Sequence, residues 1–159
     1  MSGATVGGPI LRDNLFFFLG ADYQRARQTK QTDPNRIEPS VVSALASLGY
    51  PGENLPIERT NDARVFLGKF DWQISSSTLF TGRYNYTWAD QLNGTFDVDS
   101  WGRSANADEL DHSNAGTVSV LSTLSGSFAN EFRGQYARED RPRGYPGPNI
   151  TGQDRPLPD

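Results

Sequence analysis

Apolar and polar residues alternate along several segments of this chain, with the period of a β-strand. In residues 15–28, for example, Phe17, Leu19, Ala21 and Tyr23 share one side, and Phe18, Gly20 and Asp22 share the other. Successive side chains of a strand point to opposite faces, so the pattern predicts a strand with an aromatic face. The same reasoning predicts strands at residues 5–11, 15–28, 63–74, 78–88, 116–124 and 130–139.

The alternation separates an aromatic row from a polar row on at least three of these strands. The aromatic rows contain Phe17, Leu19, Tyr23, Phe66, Phe70, Trp72, Phe80, Tyr84, Tyr86, Phe132 and Tyr136. The charged and amide residues of the opposite faces are Lys69, Asp71, Arg83, Asn85, Glu131 and Arg133. If the aromatic rows meet lipid, the polar rows line the interior of a barrel, and Trp72, Trp88, Tyr23, Tyr86 and Tyr136 are candidates for its interfacial girdles.

The connections between the predicted strands alternate between short turns and long polar loops. The turn at residues 75–77 is short, whereas residues 29–60 and 89–113 form long loops, the first with a helical piece at residues 39–48. Short periplasmic turns and long extracellular loops are typical of outer-membrane barrels. The sequence therefore predicts an all-β fold, an antiparallel transmembrane β-barrel segment of about six strands with long extracellular loops. Six strands are too few to close a barrel, so further strands are expected.

Composition and motifs exclude several other classes. The net charge of −4 disfavours nucleic acid as a partner, and a chain without Cys has no disulfide, thiolate metal site or cysteine nucleophile. The single histidine, His112, lies in a polar loop without an evident partner. The acidic residues around it do not have EF-hand spacing, and no Gly-x-Ser-x-Gly motif occurs. We therefore expect no enzyme activity, no metal and no cofactor.

The two ends of the chain suggest an internal segment. No apolar run reaches the length of a membrane-spanning helix, and residues 1–5 lack the basic region and apolar core of a signal peptide. A protein sent to the outer membrane carries such a peptide, so either the chain is an internal fragment of a longer protein or the outer-membrane interpretation is wrong. We expect a fragment. Residues 1–139 then form the partial barrel, and residues 140–159 form a truncated loop.

Several phrases resemble one protein family. Residues 7–18 (GGPILRDNLFFF), residues 66–75 (FLGKFDWQIS) and residues 83–86 (RYNY) are similar to segments of large TonB-dependent receptors. The subgroup concerned carries an N-terminal carboxypeptidase-regulatory-like domain, and residues 130–133 (NEFR) resemble the start of a later strand in the same order. The resemblance covers roughly residues 5–139; no plug, regulatory domain or energy-coupling box is recognisable.

The resemblance implies a function in the outer membrane of a Gram-negative cell. Receptors of this family enclose a plug in a barrel of about 22 strands and import bulky nutrients such as metal chelates or glycans. The implied partners are outer-membrane lipid, the remainder of the barrel, the plug domain and, through the larger protein, the TonB energy-coupling complex. The alternative is a soluble or surface-exposed β-rich domain that binds a ligand or acts in adhesion.

Overall fold

A computed structural model describes residues 1–31, 33, 35, 37–94 and 102–144 of the chain. The strands are β1 (Ser2–Leu11), β2 (Leu15–Lys30), β3 (Ile57–Ser75), β4 (Thr78–Leu92), β5 (Asp108–Ser125), β6 (Phe128–Asp140) and β7 (Arg143–Gly144). The helical elements are α1 (Pro39–Ser47) and a single 3₁₀ turn (Arg103–Ala105).

All seven strands belong to one antiparallel sheet, which confirms the prediction of an antiparallel all-β fold. Strands β1 to β6 lie side by side in chain order, and the short β7 pairs with β5. The pairs β1–β2, β3–β4 and β5–β6 follow from the short turns, because two strands that are joined by two or three residues pair antiparallel. In the part of the chain that the structure describes, β1 and β6 are the two ends of this order, and the sheet is not closed into a barrel.

Each segment predicted as a strand lies within an observed strand, but the predicted loops are too long. Residues 57–60, 89–92 and 108–113 belong to β3, β4 and β5 instead of the loops that were expected there. The predicted strands ended at the last residue of the apolar alternation. Strand pairing uses backbone groups, however, and polar side chains do not end it.

The helical piece predicted at residues 39–48 is observed as α1. Pro39 lies in its first turn, where a missing N–H costs nothing, and Gly49 follows it with a left-handed φ of 83°. The N–H of Tyr50 donates to the carbonyl of Leu45 at 2.9 Å, closing the helix end. Among the described residues, no helix has the length and apolarity to cross a membrane.

The short turns lie at the same end of neighbouring strands. The N–H of Gln73, at the end of β3, donates to the carbonyl of Asn14 in the first turn at 2.7 Å. The N–H of Thr123, near the end of β5, donates to the carbonyl of Ser77 in the second turn at 2.8 Å. In the first turn Asp13 has a left-handed φ of 61°, which Asp tolerates well.

The region after Asp140 was predicted to be a truncated loop. Arg143–Gly144 instead form β7, and residues 145–159 lie outside the described residues. Pro142 separates β7 from β6, because it has no N–H to donate to a ladder, although its carbonyl accepts from the N–H of Leu110 at 3.1 Å.

The chain forms two compact units. The first, called the hairpin unit, comprises Met1–Gln24, Ala63–Trp88 and His112–Asp140. The second, called the polar unit, comprises Arg25–Asp62, Ala89–Asp111 and Arg141–Asp159. The buried apolar side chains of the described residues, Ile57, Ala89 and Ala107, all belong to the polar unit.

Candidate functional site

The strands of the hairpin unit have two faces of different chemistry. The rings of Phe70 and Phe80 stack with centroids 5.5 Å apart, and a Cβ built on Gly82 would lie 2.6 Å from Cζ of Phe70. A Cβ built on Gly68 would lie 3.7 Å from a methyl carbon of Leu19. Because side chains alternate along each strand, these contacts place the aromatic rows of β2, β3 and β4 on one face.

The same face continues across β5 and β6. The hydroxyl of Tyr84 donates to Oδ1 of Asn114 at 2.6 Å, and a Cβ on Gly134 would lie 3.5 Å from Val118. Every residue predicted for the aromatic rows therefore lies on a single face, which we call the aromatic face. Its predicted members are Phe17, Leu19, Tyr23, Phe66, Phe70, Trp72, Phe80, Tyr84, Tyr86, Phe132 and Tyr136.

The aromatic face is not covered within the described part of the chain. Tyr136 is 70% exposed, Phe132 61% and Phe70 42%. The described residues of the hairpin unit contain no buried apolar side chain, so no second layer packs on its sheet. A contiguous exposed apolar surface of this kind marks a contact with a membrane or a partner, because its exposure to water is unfavourable.

The opposite side of these strands, called the charged face, carries the predicted polar residues. The Nζ of Lys69 lies 2.8 Å from Oδ2 of Asp71, whose Oδ1 accepts from the hydroxyl of Thr81 at 2.7 Å. Guanidinium nitrogens of Arg83 donate to Oδ1 of Asn85 at 3.2 and 3.3 Å. The ion pairs form between alternate residues of one strand, and Thr81 to Asp71 is the cross-strand contact of this set.

On β6 the charged face repeats the arrangement. A guanidinium nitrogen of Arg133 lies 2.6 Å from Oε1 of Glu131, and both side chains are exposed. Exposed ion pairs of this kind contribute between about 0 and 1 kcal/mol each, so they do not account for the fold. These ion pairs make this face polar near the middle of the strands.

Charged residues on the aromatic face occur at one end only, which the sequence analysis did not identify. The guanidinium of Arg64 lies 4.8 Å from the ring centroid of Trp88, and that ring stacks on His112 at 6.2 Å. On the next strand Asp140 is registered opposite His112, and Arg138 opposite Asn114. We call Arg64, Trp88, His112, Arg138 and Asp140 the arginine band. Alternation from Phe66 and Tyr136 could have revealed both arginines.

The polar unit contains a buried network that sequence patterns do not reveal. Arg59 is 7% exposed and donates from Nε to the carbonyl of Asn93 at 2.7 Å. Asn106 is fully buried and donates to the carbonyl of Gly102 at 2.7 Å. Oε1 of the buried Glu53 accepts from the hydroxyl of Ser104 at 2.7 Å, and Oε2 from the Ser104 N–H at 2.9 Å. Buried polar groups that are satisfied in this way fix one loop conformation.

A second set of charges holds β7 against β5. Glu109 is 4% exposed, and its two carboxylate oxygens lie 2.6 Å from Arg141 and 2.7 Å from Arg143. Burial raises the pKa of Glu109, but the hydrogen bonds and charges of Arg143 and Arg141 outweigh it and hold this pKa below its ordinary value. The carboxylate therefore stays ionised and anchors the strand that follows Pro142.

A cavity of about 360 Å³ opens in the polar unit. Leu55 and Ile57 supply apolar lining, while Asn93, Arg103 and Asp108 supply polar groups. The N–H of Asn93 donates to Oδ1 of Asp108 at 3.1 Å, which orders this side of the cavity. Its size is at the lower end of the range for small-molecule sites.

Among the described residues, no group of three or more His, Asp or Glu side chains lies close enough to hold a metal ion. His112 lies against Trp88 in the arginine band and not in a loop, because β5 begins at Asp108. Asp97 and Asp99, two of the acidic residues near His112 in the sequence whose spacing does not match a calcium-binding EF-hand, lie outside the described residues.

Comparison of the chain with protein-family models, with curated proteins and with solved structures gives no match. The function is therefore argued from the two faces of the hairpin unit and from the sites of the polar unit.

Proposed function

We propose that the chain is a segment of an outer-membrane TonB-dependent receptor, in which the aromatic face meets lipid and the charged face lines the lumen. The observation that carries this proposal is an uncovered aromatic face on the same strands as a charged face. A soluble sheet with one exposed face exposes its polar side and covers its apolar side. Here neither side has a covering layer among the described residues, so the apolar side is exposed as well.

The length of the apolar row supports a membrane as the covering layer. On β3 the aromatic face is uncharged from Phe66 to Ile74, which is roughly 26 Å along a strand at 3.3 Å per residue. A membrane-spanning strand needs about 9–11 residues, so this row has the required length. Trp72 lies near the short-turn end of this row, whereas Trp88 on β4 lies beside Arg64 at the opposite end, as residues of two interfacial girdles would.

The ends of the sheet support a larger barrel. Within the described residues the outer edges of β1 and β6 carry unpaired backbone groups, and each such group costs several kcal/mol in lipid. Further strands from the remainder of the barrel satisfy them in this proposal. Lys69, Asp71, Glu131 and Arg133 then face the lumen, where the plug domain lies.

In the same proposal the short turns are periplasmic, and residues 29–60 and 89–113 face the cell surface. The complete receptor imports bulky nutrients, such as metal chelates or glycans, with energy from the TonB complex. Length asymmetry of the connections supports this orientation, together with the resemblance of residues 7–18 and 66–75 to receptor segments.

Depth-dependent quenching tests the face assignment. The chain with Trp72 as its single tryptophan (Trp88→Phe and Trp101→Phe) is refolded into phosphatidylcholine vesicles with brominated acyl chains. We expect strong quenching of Trp72 fluorescence. The matched control carries its single tryptophan on the charged face, as Leu67→Trp in a chain that lacks the native three, and should be quenched far less.

Equal quenching of both probes, or none of Trp72, would contradict the proposal. Sizing without detergent gives an independent check, since uncovered aromatic rows should aggregate in water. A sharp monomer peak with cooperative unfolding would favour the second candidate function, a soluble or surface-exposed domain that binds a ligand. The observation that favours this candidate is the cavity of about 360 Å³ beside the buried network of the polar unit.

A further inference from the structure

The cavity of the polar unit is lined by charged residues of both signs. Arg103, Asp108 and Glu58 all contribute to its lining. Within the residues that the structure describes, none of these three side chains forms an ion pair, either with another of the three or with a residue outside the cavity. A cation and two carboxylates therefore border the same space without neutralising one another.

Contacts with neighbouring residues hold two of these charges in place. The N–H of Asn93, which has a left-handed φ of 56°, donates to Oδ1 of Asp108 at 3.1 Å. The Oδ2 atom of Asp108 has no hydrogen-bond partner in the described part of the chain. Arg103 begins the 3₁₀ turn, and its guanidinium lies 5.4 Å from the ring centroid of Tyr50. A guanidinium over a ring keeps its N–H groups available at the rim for an oxyanion.

The same cavity has an apolar lining that the protein leaves uncovered. Leu55 is 60% exposed and Leu92 is 41% exposed, whereas Ile57 beside them is buried. A turn presents Leu55, because its N–H donates to the carbonyl of Gly52 at 3.1 Å. An apolar group of a ligand that covered these leucines would remove their side chains from water, which is favourable.

The charges and the volume of the cavity together select the class of ligand. A simple anion is disfavoured, because Glu58 and Asp108 make the lining more negative than positive, and a simple cation would leave Arg103 without a counter-charge. A ligand that carries both charges pairs each of them with its opposite. The volume of about 360 Å³ limits this ligand to a small molecule.

We propose that the cavity binds a small zwitterion with an apolar side chain, either a free apolar α-amino acid or a short apolar peptide. The carboxylate of the ligand pairs with Arg103, its ammonium group with Oδ2 of Asp108, and its side chain covers Leu55 and Leu92. Arginine binds a carboxylate through two parallel hydrogen bonds, which fixes the orientation of the ligand. This inference does not depend on the proposed function, because it uses only contacts within the polar unit.

Equilibrium dialysis of the full chain, folded in detergent micelles, tests the site with radiolabelled leucine and leucyl-leucine. Arg103→Gln and Asp108→Asn should each weaken binding about tenfold or more, as expected when a hydrogen bond to a charged group is lost. Asp108→Asn keeps the oxygen that accepts from Asn93. The matched controls, Arg25→Gln and Glu38→Gln, remove the same charges from exposed positions of the polar unit outside the cavity and should leave binding unchanged.

Ligand derivatives assign each charge to its partner. N-acetyl-leucine lacks the ammonium group, so it should bind more weakly than leucine, and Asp108→Asn should not weaken it further. Leucinamide lacks the carboxylate, so it should bind more weakly, with no further loss in Arg103→Gln. Tighter binding of leucine than of leucyl-leucine identifies a free amino acid as the ligand, and the reverse identifies a peptide.

Several results would overturn the site. These are absence of saturable binding of both probes below about 10 mM, equal affinity for leucine and its two derivatives, and equal losses in the control variants. The quenching of Trp72 in vesicles does not involve the polar unit. Failure of the proposed function is therefore distinguished from failure of this site.

Discussion

Replacing Phe70 with arginine places a charge at the middle of the aromatic face. The resulting loss of stability tests whether that face meets lipid. Phe70 is half-exposed on β3 and stacks with Phe80 on β4. Two controls accompany the change. Phe70→Leu removes the ring but stays apolar, and Asp71→Arg adds the same cation to the neighbouring residue on the charged face.

The expected cost depends on what covers the face. In a membrane, arginine near the midplane costs about 2–4 kcal/mol. The lost ring pair adds about 1 kcal/mol, which gives about 3–5 kcal/mol for Phe70→Arg and about 1 kcal/mol for Phe70→Leu. Asp71→Arg loses an exposed ion pair and the hydrogen bond from Thr81, about 1–2 kcal/mol together. In water the ring pair alone is lost, so Phe70→Arg and Phe70→Leu would differ little.

Urea unfolding in vesicles, with heat-dependent gel mobility as the measure of folded protein, checks these values. We expect Phe70→Arg to lose at least 2 kcal/mol more than Phe70→Leu, in line with the midplane cost of arginine. Asp71→Arg should stay close to the wild-type chain. Equal stability of Phe70→Arg and Phe70→Leu would refute a lipid-facing aromatic row, and greater damage from Asp71→Arg would reverse the two faces.

Three further predictions concern other parts of the chain. Gly82→Val should cost about 1–3 kcal/mol in the same urea assay, because its side chain would displace a stacked ring, whereas Gly116→Val, with open space around its Cβ, should cost less. A membrane-impermeant maleimide should label Ser43→Cys but not Ser76→Cys in intact cells that display the assembled barrel, and the opposite pattern would invert the topology. The folded state lowers the pKa of Glu109, so the ionised carboxylate stabilises the fold above the ordinary glutamate pKa of about 4.3. This stability is lost as the pH falls through the pKa of the folded state. On acidification, the urea midpoint of the wild-type chain should therefore fall more than that of Glu109→Gln.

Sequence alternation predicted the faces of the hairpin unit because the middle parts of β2, β3 and β4 each have one apolar row. Phe70 and Asp71 are assigned correctly to opposite faces by period alone, without knowledge of their contacts. Strand ends were less predictable, as β5 shows: it begins at Asp108 among polar residues that carry no period. Its pairing there depends on the backbone of the chain after Pro142, which is distant in sequence.

The polar unit was not predictable in the same way. Glu53 and Ser104 are separated by 51 positions, and Arg59 and Asn106 by 47, with no periodic pattern at either end. Such contacts follow from loop conformations, and a single sequence gives no local signal for them. Arg64 is the intermediate case, since its place on the aromatic face follows from alternation, whereas its contact with Trp88 does not.

The two serine turns of the hairpin unit share one construction. The N–H of Ser77 donates to the hydroxyl of Ser75 at 3.3 Å, and the N–H of Ser127 donates to the hydroxyl of Ser125 at 3.4 Å. After two strands joined by such a turn, the chain is back at the end of the sheet from which it started. The aromatic side chains of both strands lie on the same face. The hairpin is therefore the smallest module whose duplication or loss keeps each neighbouring loop at its own end of the sheet, whereas gain of a single strand would send every later loop to the opposite end. In the proposed barrel, gain or loss of this module, in evolution or by engineering, would change the circumference in steps of two strands.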